Sequence, residues 1–364
     1  MKKIIAMLIV SMIVTGCSRV EQTVTKETEN EIISNDSLDD SFYPILKLKP
    51  NTGRNEYYNT HNLTKDFQTI GRELEVLSTK HFSTNEYFMS DGQFLKYENI
   101  EDDLLLWAKD DNPYTLQPKK TTKIEGYTNV IMTSSVYELD FYKKTAGEYK
   151  LAGVSFAIIL DPLTKPEGQK ESRIPGGLSE QFMSDYSATV METLYKYIQE
   201  NDEYSDIQST PLLISTYEAS DPQISGYNGG FTYQSFCDGS FKQPQAIEFE
   251  KVIFSSEISE TIDPTTNNEF LQFKNLIKDN SLEAVGVVGY GTYRDNRLSE
   301  FTINITANIK TYIELEYLVS LVAGEINTRF STPVGITVTI HSQDELEAVI
   351  IKEHNKEAVS SMIY

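Results

Sequence analysis

Two stretches, Ser209-Thr210-Pro211-Leu212-Leu213-Ile214-Ser215 and Ser331-Thr332-Pro333-Val334-Gly335-Ile336-Thr337, repeat one pattern in distant parts of the chain. In each, a proline closes a polar turn and an apolar run follows. Proline has no N–H to give a ladder, so it belongs at the first residue of a strand and not inside one. The strands so marked are 212–217 and 334–340. The same order of elements leads to both. Before the first, 129–142 and 153–160 read as strands around a turn at Gly147, and a long loop rich in Pro, Gly and charge covers 161–178. Tyr186, Val190, Leu194, Tyr197 and Ile198 then fall on one helix face. Before the second, 282–293 and 298–306 read as strands around Arg294-Asp295-Asn296. Leu315, Leu318, Val319, Val322, Ile326 and Phe330 mark the matching helix. Matching order on both sides of a shared landmark predicts a repeat, and two copies are too few for a solenoid. The predicted class is therefore α+β: two tandem related β-β-α-β units packed together. The first repeat spans 127–243. Residues 244–364 hold a connecting strand (246–254), a helix marked by Phe270, Phe273 and Ile277, and the second repeat.

Towards the N-terminus, 42–126 reads as a small helix/hairpin region. Residues 43–48 read as extended, and 64–80 carry Phe67, Ile70, Leu74 and Leu77 at amphipathic helical spacing. Asp91-Gly92 lies between Tyr87-Phe88-Met89 and Gln93-Phe94-Leu95, a strong hairpin signal. Leu104, Leu105, Leu106 and Trp107 mark a short acidic helix ended by Asn112-Pro113. Residues 17–41 are polar and acidic without an apolar period, which predicts a disordered tether. Residues 1–16 read as a signal peptide: Lys2 and Lys3, then an apolar run over 4–14. As a helix that run is about 16 Å long, too short for a hydrocarbon core roughly 30 Å thick. Val14-Thr15-Gly16-Cys17 closes it as a lipobox, one aliphatic and two small residues before a thiol that takes lipid. The expected location is the extracytoplasmic face of the cell membrane, with Cys17 as the lipid anchor.

The chain has 364 residues and a formal net charge of −22. Loss of Lys2 and Lys3 with the signal makes the remainder two charges more negative. Such a body repels phosphate backbones and anionic headgroups, so no nucleic-acid partner is expected and membrane attachment falls to the lipid. With Cys17 lipidated, Cys237 has no partner within the chain and reads as a small buried hydrophobe. His61, His81, His341 and His354 form no compact metal-ligand spacing, and His341 reads as a polar residue at a strand end. Gly286, Gly289 and Gly291 lack either phosphate-loop spacing and lead into a strand, so they read as strand glycines. There is no G-x-S-x-G elbow. Glu138 and Asp140 alternate with apolar neighbours and are expected on the solvated side of a strand. No catalytic, metal or cofactor residue is assigned, and no enzymatic activity is expected.

With the lipobox, the tether, the tandem unit and the stretch Tyr-Phe-Met-Ser-Asp-Gly-Gln-Phe-Leu-Lys at 87–96 in place, the chain resembles the CamS family of sex-pheromone precursor lipoproteins of Gram-positive bacteria. The resemblance covers essentially the whole mature chain. It implies that the hydrophobic end of the cleaved signal is trimmed and released as a short peptide that plasmid-bearing donor cells sense. Here the candidate peptide is Val10-Ser11-Met12-Ile13-Val14-Thr15-Gly16. The implied partners are the membrane, lipoprotein-processing enzymes and a pheromone receptor. Ser11, Thr15 and Gly16 depart from the family's more aliphatic peptides, which puts cross-recognition in question, since one methylene in a pocket is worth about 1–3 kcal/mol.

Two other classes fit the same chain. A binding module for a small ligand, peptide or cell-wall polymer could use the 22 tyrosines and a cleft between lobes. Its solute-binding variant requires strand–helix alternation in two parallel-sheet lobes, which the sequence lacks. A cell-envelope hydrolase would need two acidic residues converging in one pocket.

Overall fold

Each repeat builds a strand hairpin, a crossover helix and a parallel return strand. The computed structural model describes residues 32–33, 42–49, 51, 53, 64–106, 112–165, 168, 170–174, 177–219, 229–281 and 283–363. The first sheet begins with β1 (Ile32–Ile33) and β2 (Ile45–Leu46), followed by helix α1 (Thr64–Ser78) and β3 (Phe88–Asp91). The first repeat supplies β4 (Val130–Thr145), β5 (Glu148–Thr164), β6 (Ser172–Arg173), α2 (Glu180–Glu200), α3 (Ser205–Gln208) and β7 (Leu212–Glu218). Then come β8 (Gly230–Cys237) and β9 (Gln245–Ala246). The sheet order is β1-β2-β3-β4-β5-β7-β8-β9, with β6 on β5. The second sheet opens with β10 (Phe249–Ile253), then helices α4 (Glu257–Ile262) and α5 (Pro264–Asp279). Its repeat is β11 (Val285–Arg294), β12 (Arg297–Ala307), α6 (Tyr312–Arg329) and β13 (Ile336–Ser342), and it closes with β14 (Glu345–Lys352) and β15 (Val359–Met362). These strands are ordered consecutively from β10 to β15.

The two repeats match in pairing as well as order. Strands β4 and β5 are antiparallel, as are β11 and β12. Helices α2 and α6 then carry the chain back, so β5 runs parallel to β7 and β12 parallel to β13. A parallel neighbour cannot be reached by a tight turn, which is why a helix intervenes in both copies. The hairpin turns fit too: Ala146 and Gly147 have φ of 53° and 88°, and Asp295 and Asn296 have 49° and 58°. Two successive left-handed residues match the twist of the flanking strands. Ser179 caps α2 by accepting from the Phe182 amide, and Thr311 caps α6 by accepting from that of Glu314.

Each sheet has its own core. On the first, α1 sets Phe67, Ile70, Leu74 and Leu77 against one face, while Val190, Met191, Leu194 and Ile198 of α2 cover the other. Burying each such side chain contributes about 1.5–3 kcal/mol. On the second, α5 and α6 cover one face through residues such as Phe270, Phe273, Val322 and Ile326. The strand glycines make room for aromatic rings: a Cβ on Gly289 would lie 2.6 Å from Phe270, and one on Gly291 2.9 Å from Phe254.

Several expectations are corrected. The segment 246–254 is not one strand. β9 pairs with β8 in the first sheet and β10 with β11 in the second, so the chain changes sheet at Ile247 and Glu248. The loop at 161–178 is shorter than its composition suggests, because β5 continues to Thr164 and Arg173, in β6, reaches Asp161 at 3.0 Å. Of the segment read as a tether only Ile32 and Ile33 are among the described residues, where they pair with Leu46 and Ile45, and this pairing leaves the tether expectation in place. In place of the short acidic helix, Asn99–Leu104 form a π-helical turn, and Trp107 lies outside the described residues.

The hairpin expected at Asp91-Gly92 is not formed. β3 pairs with β4, and residues 93–95 turn away to wrap a carboxylate. The amides of Gln93, Phe94 and Leu95 donate to Glu138 at 3.0, 2.9 and 2.7 Å. Gly92 permits this approach, since a Cβ there would lie 2.5 Å from Glu138 Cβ. Glu138 and Asp140 are thus not on a solvated face: they are 1% and 0% exposed. Among the described residues the Asp140 carboxyl faces the Glu138 carboxyl and the Gln93 backbone. Burial, and then the charge of Glu138, push the Asp140 carboxyl well above its ordinary value of 3.8. A neutral Asp140 supplies the O–H donor that two adjacent buried carboxylates lack.

A folded-state value raised above the unfolded one means that the unfolded chain releases its proton first. The contribution of Asp140 to stability is full below pH 3.8 and falls as pH rises from there to its raised value. Across that window the slope approaches about 1.4 kcal/mol per pH unit for one proton. Denaturant midpoints measured against pH are expected to lose this slope in Asp140→Asn, which keeps shape and neutrality. Glu138→Gln should instead cost about 1–3 kcal/mol, because its amide N–H₂ would face a backbone donor. Gly289→Ala should cost about 1–3 kcal/mol through overpacking against Phe270. Gly324→Ala, on α6 with open space at its Cβ, should gain about 0.5–1 kcal/mol.

Candidate functional site

Helix α1 is amphipathic in an unusual way: both of its long faces are used. The flank beside Ile70 and Leu74 carries Glu73 and Val76 towards the second sheet, with Lys80 just past the helix end. Glu73 is 5% exposed and its Oε1 lies 2.9 Å from Lys251 Nζ on β10. Lys251 also donates to the Gly229 carbonyl at 2.8 Å. Lys80, just beyond α1, meets Asp295 of the β11–β12 turn at 3.0 Å. Phe249 packs on Gly230, where a Cβ would lie 2.8 Å from the ring. Behind the Glu73–Lys251 pair the interface leaves only about 20 Å³.

On the other side of the pair the two lobes part into a cleft of about 570 Å³. One wall is α1, through Gln68, Thr69, Arg72 and Glu73. The other is the face of the second sheet that α5 and α6 leave uncovered. Strand register sets its side chains in rows: Lys251, Thr292 and Glu300 in one, Ile253, Tyr290 and Thr302 in the next, with Asn304 beyond. Side chains two apart on one strand share a face, which is why 290 and 292, and 300, 302 and 304, all line the wall.

The charges around the cleft are held by one another. Arg72 donates to Glu75 at 2.9 Å and lies 4.0 Å over the Phe42 ring. Glu300 is bound by Arg294 at 3.1 Å, and Arg294 also donates to Ser299 at 2.7 Å. Burial raises the Glu73 carboxyl and outweighs the opposing pull of Lys251. Glu73 and Glu300 therefore meet in one pocket, but each carboxylate faces a cation. The second acidic pair, Glu138 and Asp140, is enclosed.

The residues singled out in sequence lie elsewhere. Cys17 and the segment Val10, Ser11, Met12, Ile13, Val14, Thr15 and Gly16 lie outside the described residues, as does His61. Cys237 is 1% exposed and burial pushes its thiol up, which disfavours the nucleophilic thiolate. His341 ends β13 next to Ser342, and His81 stacks on Phe236 with ring centres 4.0 Å apart. Among the described residues no group of three His, Cys, Asp or Glu could hold a metal ion, and no helix is long and apolar enough to cross a membrane. Sequence reading offered a cleft between the lobes but not its lining, whose walls come from segments about 180 residues apart or more. The one available signal was Glu73, an acidic residue beside the apolar stripe of α1.

A family model described as the CamS sex pheromone cAM373 precursor matches residues 49–358. Among solved structures, a sex pheromone precursor from Lactobacillus salivarius subsp. salivarius UCC118 superposes with a TM-score of 0.77. It is 17% identical, and the match covers 92% of this chain and 99% of that one. The C-terminal domain of the sex pheromone staph-cAM373 precursor from Staphylococcus aureus has a TM-score of 0.63 and 18% identity. That match covers 82% of this chain and 96% of that domain. No curated protein matches the chain. At these identities the two structures show a shared fold, and the family match spans most of the sequence: the chain belongs to the CamS family of sex pheromone precursors.

Proposed function

We propose that this chain is a lipoprotein held on the extracytoplasmic face of the cell membrane through Cys17, and that its cleaved signal yields a short mating peptide. The observation that carries this reading is Val14-Thr15-Gly16-Cys17 closing a signal-like segment in a member of a pheromone-precursor family. Peptidase cleavage before Cys17 leaves Gly16 as the new C-terminus of the signal fragment. Trimming of that fragment gives a peptide ending Val10-Ser11-Met12-Ile13-Val14-Thr15-Gly16. Two acyl chains hold the body far better than one, since each buried CH₂ contributes about 0.8 kcal/mol. The partners are the membrane, the processing enzymes and a receptor on plasmid-bearing cells.

The mature body works without catalysis in this reading. Each cleft carboxylate faces a cation, and the enclosed Glu138–Asp140 pair has no route to a substrate at its buried position. A binding role for the body has specific support in the polar cleft between α1 and the second sheet.

Cells expressing the chain and given labelled palmitate should incorporate it, and Cys17→Ala should abolish incorporation. Equal labelling of the two would remove the lipid anchor. Mass spectrometry of the supernatant should find a peptide ending at Gly16. Its absence from cells that make and lipidate the protein would remove the signalling role alone.

A further inference from the structure

Helices α2 and α6 take the same place in the two repeats, so their solvent faces should look alike. They do not. The exposed positions of α2 include Glu180, Asp185, Glu192, Lys196 and Glu200, as a solvated face requires. The exposed positions of α6 carry one charge, Glu316. Three of the others are large and apolar: Tyr312, Ile313 and Tyr317 are 51%, 68% and 52% exposed. Apolar groups standing together in this way mark a surface that meets a partner.

Shape and charge both fit this face to a second copy of itself. Ile313, Tyr317, Ser320, Gly324 and Thr328 follow one another at intervals of three or four residues, so they form one strip along α6. Its bulk lies in the first half. The second half is small, and a Cβ on Gly324 would meet nothing within 4 Å. An antiparallel copy sets Tyr317 over Gly324 and Ile313 over Thr328, with Ser320 at the centre. In that arrangement the two Glu316 carboxylates stand about 13 Å apart along the axis, whereas a parallel copy would set them side by side. Glu316 instead comes near Asn327, whose oxygen accepts from the Ala358 amide and whose N–H₂ group can donate to it. Elsewhere the formal charge of −22 holds copies of the chain apart, so a contact between them needs a face as poor in charge as this one.

We propose that the chain self-associates through the solvent face of α6, two copies meeting antiparallel about a two-fold axis near Ser320. The contact is isologous, so each copy gives its bulky half to the other's small half. Helix α6 has 18 residues and is about 27 Å long. One helix pair of that length buries less than the roughly 1,600 Å² of a standard interface, which makes the association weak and reversible. It stands apart from lipid at Cys17 and from any ligand in the cleft.

The test is oxidative cross-linking of the purified full chain in detergent, comparing Ser320→Cys with Thr189→Cys at an exposed position of α2. The wild type measures the background from Cys17 and Cys237. Copper phenanthroline should link Ser320→Cys into dimers at least about tenfold faster than Thr189→Cys, because thiols held at the axis meet at a high effective concentration. Ile313→Asp puts a charge in the face, and Gly324→Leu fills the space that Tyr317 of the second copy needs. Added to Ser320→Cys, each should bring the rate down to that of Thr189→Cys. Both positions are exposed, and thermal melting checks that the variants fold. Equal rates for Ser320→Cys and Thr189→Cys would overturn self-association and leave the face to a different protein or to lipid. A fast rate that Ile313→Asp or Gly324→Leu leaves unchanged would overturn the antiparallel contact.

Discussion

The buried ion pair between Glu73 and Lys251 is the constraint on which the two-lobed arrangement depends. Its partners come from the outer face of α1 and from the edge strand of the second sheet. Two charges are taken out of water there, and their desolvation cost is met only while both remain in place. The pair therefore acts less as an attraction than as a condition on geometry: the lobes sit where each charge has its partner. Around it, Phe249 lies on Gly230 and Lys80 reaches Asp295, so α1 is clasped by its own sheet and by the neighbouring one. One helix thus belongs to two interfaces, and the cleft is the space left where the second one opens.

That arrangement separates two functional questions. In the proposed reading the signal segment ending at Gly16 is cut from the body, so whatever it signals would place no demand on the sheets. The body must justify its own architecture. Its two repeats share a hairpin, a crossover helix and a parallel return, yet their surfaces differ. The first sheet is covered on both faces by α1 and α2, whereas the second keeps one face partly open. An open face rich in threonine and asparagine, walled by a helix with a buried carboxylate, is a surface suited to a polar ligand.

Much of the fold was legible in the sequence because it depends on local chemistry. Proline after Ser-Thr marks the approach to both parallel return strands, and the apolar stripes at 186–198 and 315–330 name the crossover helices. Other features were hidden for identifiable reasons. Glu138 and Asp140 alternate with apolar residues as an exposed edge would, but β4 is central and α1 and α2 cover both sides of its sheet. Only the loop at 93–95, whose amides replace water, makes the carboxylate of Glu138 tolerable there. Asp91-Gly92 looked like a hairpin because the glycine was read for its turn, while its role is to admit the Glu138 side chain. The break at 247–248 is invisible in composition, since both halves are strand-like and only their partners differ. A cleft between lobes could be named but its lining could not: Glu73, Lys251, Tyr290 and Thr302 meet only after both sheets have formed.

The claim that α1 locks the lobes through one buried ion pair is tested most directly by a double-mutant cycle at Glu73 and Lys251, read from denaturant unfolding of the full chain. Glu73→Gln and Lys251→Met should each destabilise by about 3 kcal/mol, because each leaves a buried charge without its partner. Together they should cost less than the sum of the two, by about 1–3 kcal/mol. Additivity to within about 0.5 kcal/mol would mean that the residues do not act on one another, and would contradict the account.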